Sequence, residues 1–180
     1  MKPAAGADAQ VLEAGTPRRR AVRHYRSLAK GFHWITAALV LALVASGVIM
    51  KQLSDGAVAD TLLALHKLVG ALTLSLVLIR LSYRLVGLEP AGTVSYRRPT
   101  VHWVLYGIII LVPLLGWAGV SDFSSREIFF GYSLPQIWPE GSGYGDLMLT
   151  VHAYLAFGLL GLVVLHIGNA LQDYMMRARD

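Results

Sequence analysis

Four apolar runs dominate this chain, at residues 32–50, 62–86, 101–120 and 147–171. Each has the length of a bilayer crossing, which takes about 20 residues as a helix. Hydrocarbon offers the backbone no hydrogen-bond partners, so a segment that crosses must pair its own N–H and C=O groups as a helix. The rest of the composition agrees. The 180 residues are 55% hydrophobic and only 15% charged, with mean hydropathy +0.54, too little polar surface for a soluble domain of this size. The expected fold is therefore all-α and integral to the membrane, a single four-transmembrane-helix bundle. It divides into a mobile N-terminal tail (1–29), the membrane domain (30–174) and a short C-terminal tail (175–180).

Basic residues set the orientation. Thirteen of the sixteen lysines and arginines precede the first run, surround the second-to-third connection or follow the last run. Lys51, Lys67 and Arg126 are the others. Basic residues collect on the cytoplasmic side, which places both termini there. The net charge of +5 is thus a topology signal and gives no reason to expect nucleic-acid binding. No removable signal peptide is expected, because the first run is too long for a signal core and lies well inside the chain. Cysteine is absent, which excludes disulfides, iron–sulfur ligation and covalent heme attachment through a C-x-x-C-H motif.

The connection at 87–100 contains Pro90, Gly92 and Pro99, a clear break between spans. The only long connection, 121–146, mixes Phe123, Phe129, Phe130, Tyr132, Trp138 and Tyr144 with glycines, a composition suited to lying in the membrane interface.

Five of the six histidines sit at span ends, His24 alone being in the tail. His152 and His166 share the last run and are fourteen residues apart. Fourteen residues make nearly four turns, so both project from roughly one helix face about 21 Å apart along the axis. Alternating spans bring His33 to the depth of His166, and His66 to that of His152. Two neutral imidazoles at one depth can fill both axial positions of a heme iron, leaving no open position and favouring electron transfer. Each histidine taken singly could instead hydrogen-bond between helices, but four at matched depths and faces point to two hemes in the bundle core, held by coordination and packing, with His33, His66, His152 and His166 as the metal ligands.

The same interval of fourteen leads from His33 to Gly47 and from His66 to Arg80. Gly47, with Gly70, Gly158 and Gly161, removes side chains where a heme plane approaches, or else serves close helix packing. Arg80 lies at the depth of the inner heme, where a guanidinium can pair with a propionate, since an arginine inside a span implies a buried anion; its other reading is snorkelling to the cytoplasmic interface. Arg84 is expected to snorkel to the interface, and Trp34, Trp103 and Trp117 to anchor or pack there. His102 has no partner left at its depth. Its readings are a quinone hydrogen bond, a proton relay from the cytoplasm, or a helix-end histidine among headgroups. His102 and Lys67, the latter beside His66, are the candidate catalytic residues.

These motifs resemble the bacterial cytochrome b561 family of diheme membrane proteins over nearly all of residues 25–170. The matching features are His33-Trp34; His66-Lys67 with Gly70, Arg80 and Arg84; His102 with Tyr106, Pro113, Gly116 and Trp117; Phe130-Gly131 and Leu134-Pro135; and His152 with His166 and Ala170. The resemblance implies that the four matched histidines are axial ligands of two b hemes in a bacterial inner-membrane protein. It also implies single-electron transfer between an outer donor and the quinone pool, with superoxide as donor and ubiquinone as acceptor in one branch. The chain departs from the family pattern at Ala153, Ser27 and Gln172-Asp173-Tyr174. Its outer segments carry three basic residues against Asp55, Asp60, Asp122, Glu127, Glu140 and Asp146, the opposite of what a funnel for an anion prefers. A second reading is therefore a cytochrome subunit docking a periplasmic redox protein or a dehydrogenase or hydrogenase complex. A third, a heme-free transporter with a histidine pathway, does not call for paired ligands and glycine clearance.

Overall fold

Helix length follows the apolar runs and then exceeds them. A computed structural model describes residues 17–86, 99–129 and 131–177, with side chains from Lys30 onward save those at 99, 100, 102, 173 and 177. It contains four helices, α1 (Pro17–Met50), α2 (Ala57–Leu85), α3 (Pro99–Asp122) and α4 (Gly145–Arg177), and no strand among the described residues. All four are long and apolar enough to cross a membrane. The apolar part of α1, Lys30–Met50, has 21 residues and rises about 31 Å, which matches a hydrocarbon core of about 30 Å. The preceding turns from Pro17 therefore project beyond it. Residues 17–29, expected as tail, are helical because the Arg, Ala and Leu of this stretch are good helix formers and Pro17 suits a first helical position. At the other terminus α4 likewise runs on to Arg177. Residues 1–16 of the expected tail, Pro90, Gly92 and Phe130 lie outside the described residues, as does the side chain of His24.

Helix ends have local causes. Gly56, at φ 149°, starts α2, and Asp60 in its first turn complements the positive end of the helix dipole. Arg84 does the same at the negative end. Each helix touches its sequence neighbours, most extensively α3 against α4, and a thin α1–α4 contact closes the ring. The diagonal pairs α1–α3 and α2–α4 do not meet through their backbones. This is an up-down-up-down bundle. Its buried side chains are small or branched: Val40, Ala64, Leu74, Val77, Val112, Ala118, Val120 and Leu159. Buried Thr36 and Thr73 bond back to the carbonyls of Phe32 and Val69. Large apolar groups such as Trp34, Leu72, Ile79 and Val164 face outward, as a lipid solvent allows.

Residues 123–129 and 131–144 form a cap over one end of the bundle, here the loop end. A single antiparallel bridge joins Glu127 to Ser133, closed by Ile128 N–H on Tyr132 O at 2.8 Å and Leu134 N–H on Arg126 O at 2.9 Å. The return strand of chain is pinned to α3: Trp117 Nε1–H donates to Pro135 O at 2.8 Å, and fully buried Ser121 accepts from Ile137 N–H. Asp122, the last residue of α3, accepts from Ser142 N–H, Ser142 Oγ–H and Gly145 N–H. It thereby ties the cap to α3 and caps the start of α4. The aromatic-rich connection thus forms a folded lid, and Trp117 is a strut of that lid.

Candidate functional site

Two of the four histidines meet beneath the cap. His66, three turns into α2, and His152, two turns into α4, bring their ring centres to 6.1 Å with planes 77° apart. Their helices are the diagonal pair without backbone contact, so the imidazoles span the bundle core. Both rings are held from behind. His66 Nδ1 lies 2.8 Å from Ser46 Oγ, whose own proton goes to Leu43 O at 2.9 Å. A serine has one proton to give, so its oxygen accepts from His66 Nδ1–H. His152 Nδ1–H donates to Val112 O at 2.8 Å. A hydrogen on each Nδ1 leaves each Nε2 as a lone pair.

Glycine makes this approach possible at one position above all. A Cβ on Gly116 would stand 2.9 Å from Nδ1 and 3.0 Å from Cε1 of His152; the bare backbone of α3 is what lets the ring lie against it. One turn on, a Cβ at Gly119 would meet Leu149 at 2.6 Å, which accounts for the close α3–α4 packing. Gly47 faces His66, its added Cβ 3.7 Å from Cε1.

A cavity of about 650 Å³ opens around this pair, lined among others by Gly47, Gly70, Pro113 and Leu134, a size in the cofactor range of roughly 300–1,000 Å³. Gly47 and Gly70 thus line the cavity. Gly158 and Gly161 do not: both are exposed and neither lines the cavity, because the α4 face that carries them turns outward. Lys67, at the cavity wall, donates from Nζ to Ser125 O at 2.9 Å and so fastens the cap to α2.

The other end repeats the pairing. His33 on α1 and His166 on α4 bring their ring centres to 6.2 Å with planes 64° apart, across the thin α1–α4 contact. Trp34 packs edge-on against His33 at 5.8 Å. The Arg84 guanidinium lies over Trp103 at 4.9 Å and Tyr106 at 5.6 Å, a cation stacked on two aromatic faces of neighbouring α3. Arg80, one turn earlier, is half-buried. The His102 side chain lies outside the described residues.

A family model described as prokaryotic cytochrome b561 matches residues 24–173, most of the chain and all of its apolar runs. The chain belongs to the prokaryotic cytochrome b561 family. It is also 26% identical over 165 residues to the Escherichia coli (strain K12) protein "Cytochrome b561 homolog 2", covering 87% of each chain. No solved structure matches it. This cytochrome b561 is accordingly a multi-pass membrane heme protein of transmembrane electron transfer, with heme b as its cofactor class.

The residues present fit that group. An imidazole–metal–imidazole axis needs about 2 Å for each metal–nitrogen bond and about 1 Å from each nitrogen to its ring centre, about 6 Å in all. Both histidine pairs have that span. The bonds behind His66 and His152 are of the kind that orient histidines which hold a metal.

Three contributors escaped sequence reasoning. Ser46 gave a weak signal, a hydroxyl beside Gly47 in an apolar run. Gly116 stands among the family-like motifs, but no spacing argument gave it a role. Asp122 read as one more acidic residue of the outer segments, since its partners Ser142 and Gly145 are 20 or more residues away.

Proposed function

We propose that this cytochrome b561 carries single electrons across the bilayer between two heme b groups, one held by His66 and His152 and the other by His33 and His166. The observation that carries the reading is the recurrence, at both ends of the bundle, of a histidine pair set about 6 Å apart across the core. Iron held by two imidazoles supplies a one-electron carrier with no position open to oxygen. Electrons enter at the loop end, beneath the cap, and leave at the opposite end to a quinone such as ubiquinone. Thirteen of sixteen basic residues on the side of the termini support an inner-membrane protein with both termini cytoplasmic. Quinone reduction consumes two electrons and two protons, and His102 is proposed to pass protons from that side or to hold the quinone carbonyl. Arg80 is proposed to pair with a propionate of the inner group.

The donor is proposed to be a redox protein rather than superoxide. Exposed Asp55, Asp60, Glu127, Glu140 and Asp146 rim the loop end, where Lys67 is engaged with the cap. That charge balance favours a basic docking partner over an anion. Lys67 in this scheme holds the cap in place beside His66.

Pyridine hemochrome quantitation of the purified protein tests the core of the reading. Two hemes b per chain are expected, one lost on His66→Ala or His152→Ala and the other on His33→Ala or His166→Ala. One heme in the wild type, or both retained in any of these variants, overturns the pairing. Quinone reduction driven by superoxide alone, at the rate seen with a protein donor, overturns the choice of donor.

A further inference from the structure

We propose that Ser46 is a positioning residue for His66 that lowers the reduction potential of the loop-end site. The inference rests on the reading that His66 is an axial ligand. Ser46 Oγ is 2.9 Å from Leu43 O, three residues back on α1, and 2.8 Å from His66 Nδ1 on α2. Were the serine proton directed at Nδ1, two oxygens would face each other at 2.9 Å with no hydrogen between them. The proton therefore lies on Leu43 O, and Ser46 receives the Nδ1 hydrogen. This fixes the tautomer in which Nε2 is the lone-pair nitrogen, and it fixes the ring by tying α2 to α1 at the depth of the ligand.

The same bond has an electronic effect. A partly buried acceptor on Nδ1–H draws the ring toward imidazolate and raises the donor strength of Nε2. A stronger donor favours the oxidised metal, which carries one more positive charge, and so lowers the potential. Reduction adds one electron and moves no proton here, because Nδ1 keeps its hydrogen in both states. His152 has the same arrangement but uses the main-chain oxygen of Val112, which substitution cannot remove. Ser46 is the member of this pair of supports that sequence can tune. A lower potential at the loop end works in the direction of onward transfer to the His33/His166 site.

The test uses full-length, heme-loaded protein. Ser46→Ala, Ser46→Thr and Ser46→Cys are compared with the wild type by spectroelectrochemical titration of the α bands. S46A should shift one of the two components upward, by about tenfold in its oxidised-to-reduced ratio at fixed ambient potential, or about 59 mV for one electron. The other component should not move. S46T, which keeps the acceptor, should titrate as wild type; S46C, similar in size with a weaker acceptor, should fall between. If S46A proves unable to hold its heme, S46C decides, and heme loss in both with retention in S46T supports the same dependence. Unmoved potentials in S46A, equal movement of both components, or failure of S46T to restore the wild-type value overturns the proposal. His66→Ala separates the two levels of inference. If it removes one heme while S46A titrates as wild type, Ser46 alone fails; if it removes neither, the ligand reading fails.

Discussion

Adding one methyl group at Gly116 is expected to loosen the loop-end heme. An alanine Cβ there would lie 2.9 Å from His152 Nδ1, against an ordinary contact of about 3.5 Å, so about 0.6 Å must be found. The imidazole cannot swing freely to provide it. Its Nδ1–H is held by Val112 O at 2.8 Å, one turn earlier on the same helix, so a ring pushed off α3 stretches that bond toward about 3.4 Å, past the useful range. Overpacking of this kind costs about 1–3 kcal/mol, and the lost hydrogen bond about 1 kcal/mol more. Against this, alanine is favoured over glycine inside a helix by about 1 kcal/mol. The net is about 1–3 kcal/mol, or roughly 5- to 150-fold in heme affinity if it falls on the bound state. Transfer of heme to excess apomyoglobin measures this directly. With two hemes held as proposed, Gly116→Ala should release one faster than the wild type does and the other at the wild-type rate. Gly161→Ala, with nothing within 4 Å of the added Cβ, is the control and should lose neither. A G116A protein that holds both hemes like the wild type, with unchanged α bands, would refute the claim that this glycine sets the position of His152.

Three further outcomes follow from the architecture. Asp122→Ala removes the acceptor of two backbone N–H groups and the Ser142 hydroxyl; protease added at the loop side of proteoliposomes should then cut within 123–144 several-fold faster while both hemes remain, and unchanged protection counts against Asp122 as the cap's anchor. Reporter fusions at the C-terminus should be active only in the cytoplasmic format, because the basic residues cluster on the side of the termini; a periplasmic signal reverses the assignment of both heme sites. His102→Ala should slow quinone reduction severalfold with both heme spectra intact, and normal turnover would make His102 a helix-end residue without a part in the reaction.

Chain length and hydropathy by themselves determined that four membrane helices form, because a bilayer imposes a local rule: about 20 apolar residues, hydrogen-bonded internally. The depth of each histidine was equally legible, since position along a helix axis is arithmetic at 1.5 Å per residue. Depth matching therefore paired His33 with His166 and His66 with His152, the pairs whose rings come to about 6 Å. What a side chain touches sideways is a different kind of quantity, set by how neighbouring helices are rotated about their axes. Arg84 shows the difference: its position in the last turn of α2 reads as a snorkelling residue, while Trp103 and Tyr106, contributed by α3, turn it into a stacked cation. Gly158 and Gly161 share a helix with two histidines, yet face outward and clear no space in the cavity. Ser46, Val112 and Gly116 position the loop-end histidines only because α1, α2, α3 and α4 converge there. The cap, too, was a tertiary decision: Asp122 gathers donors from Ser142 and Gly145, a contact that no periodicity within one segment encodes.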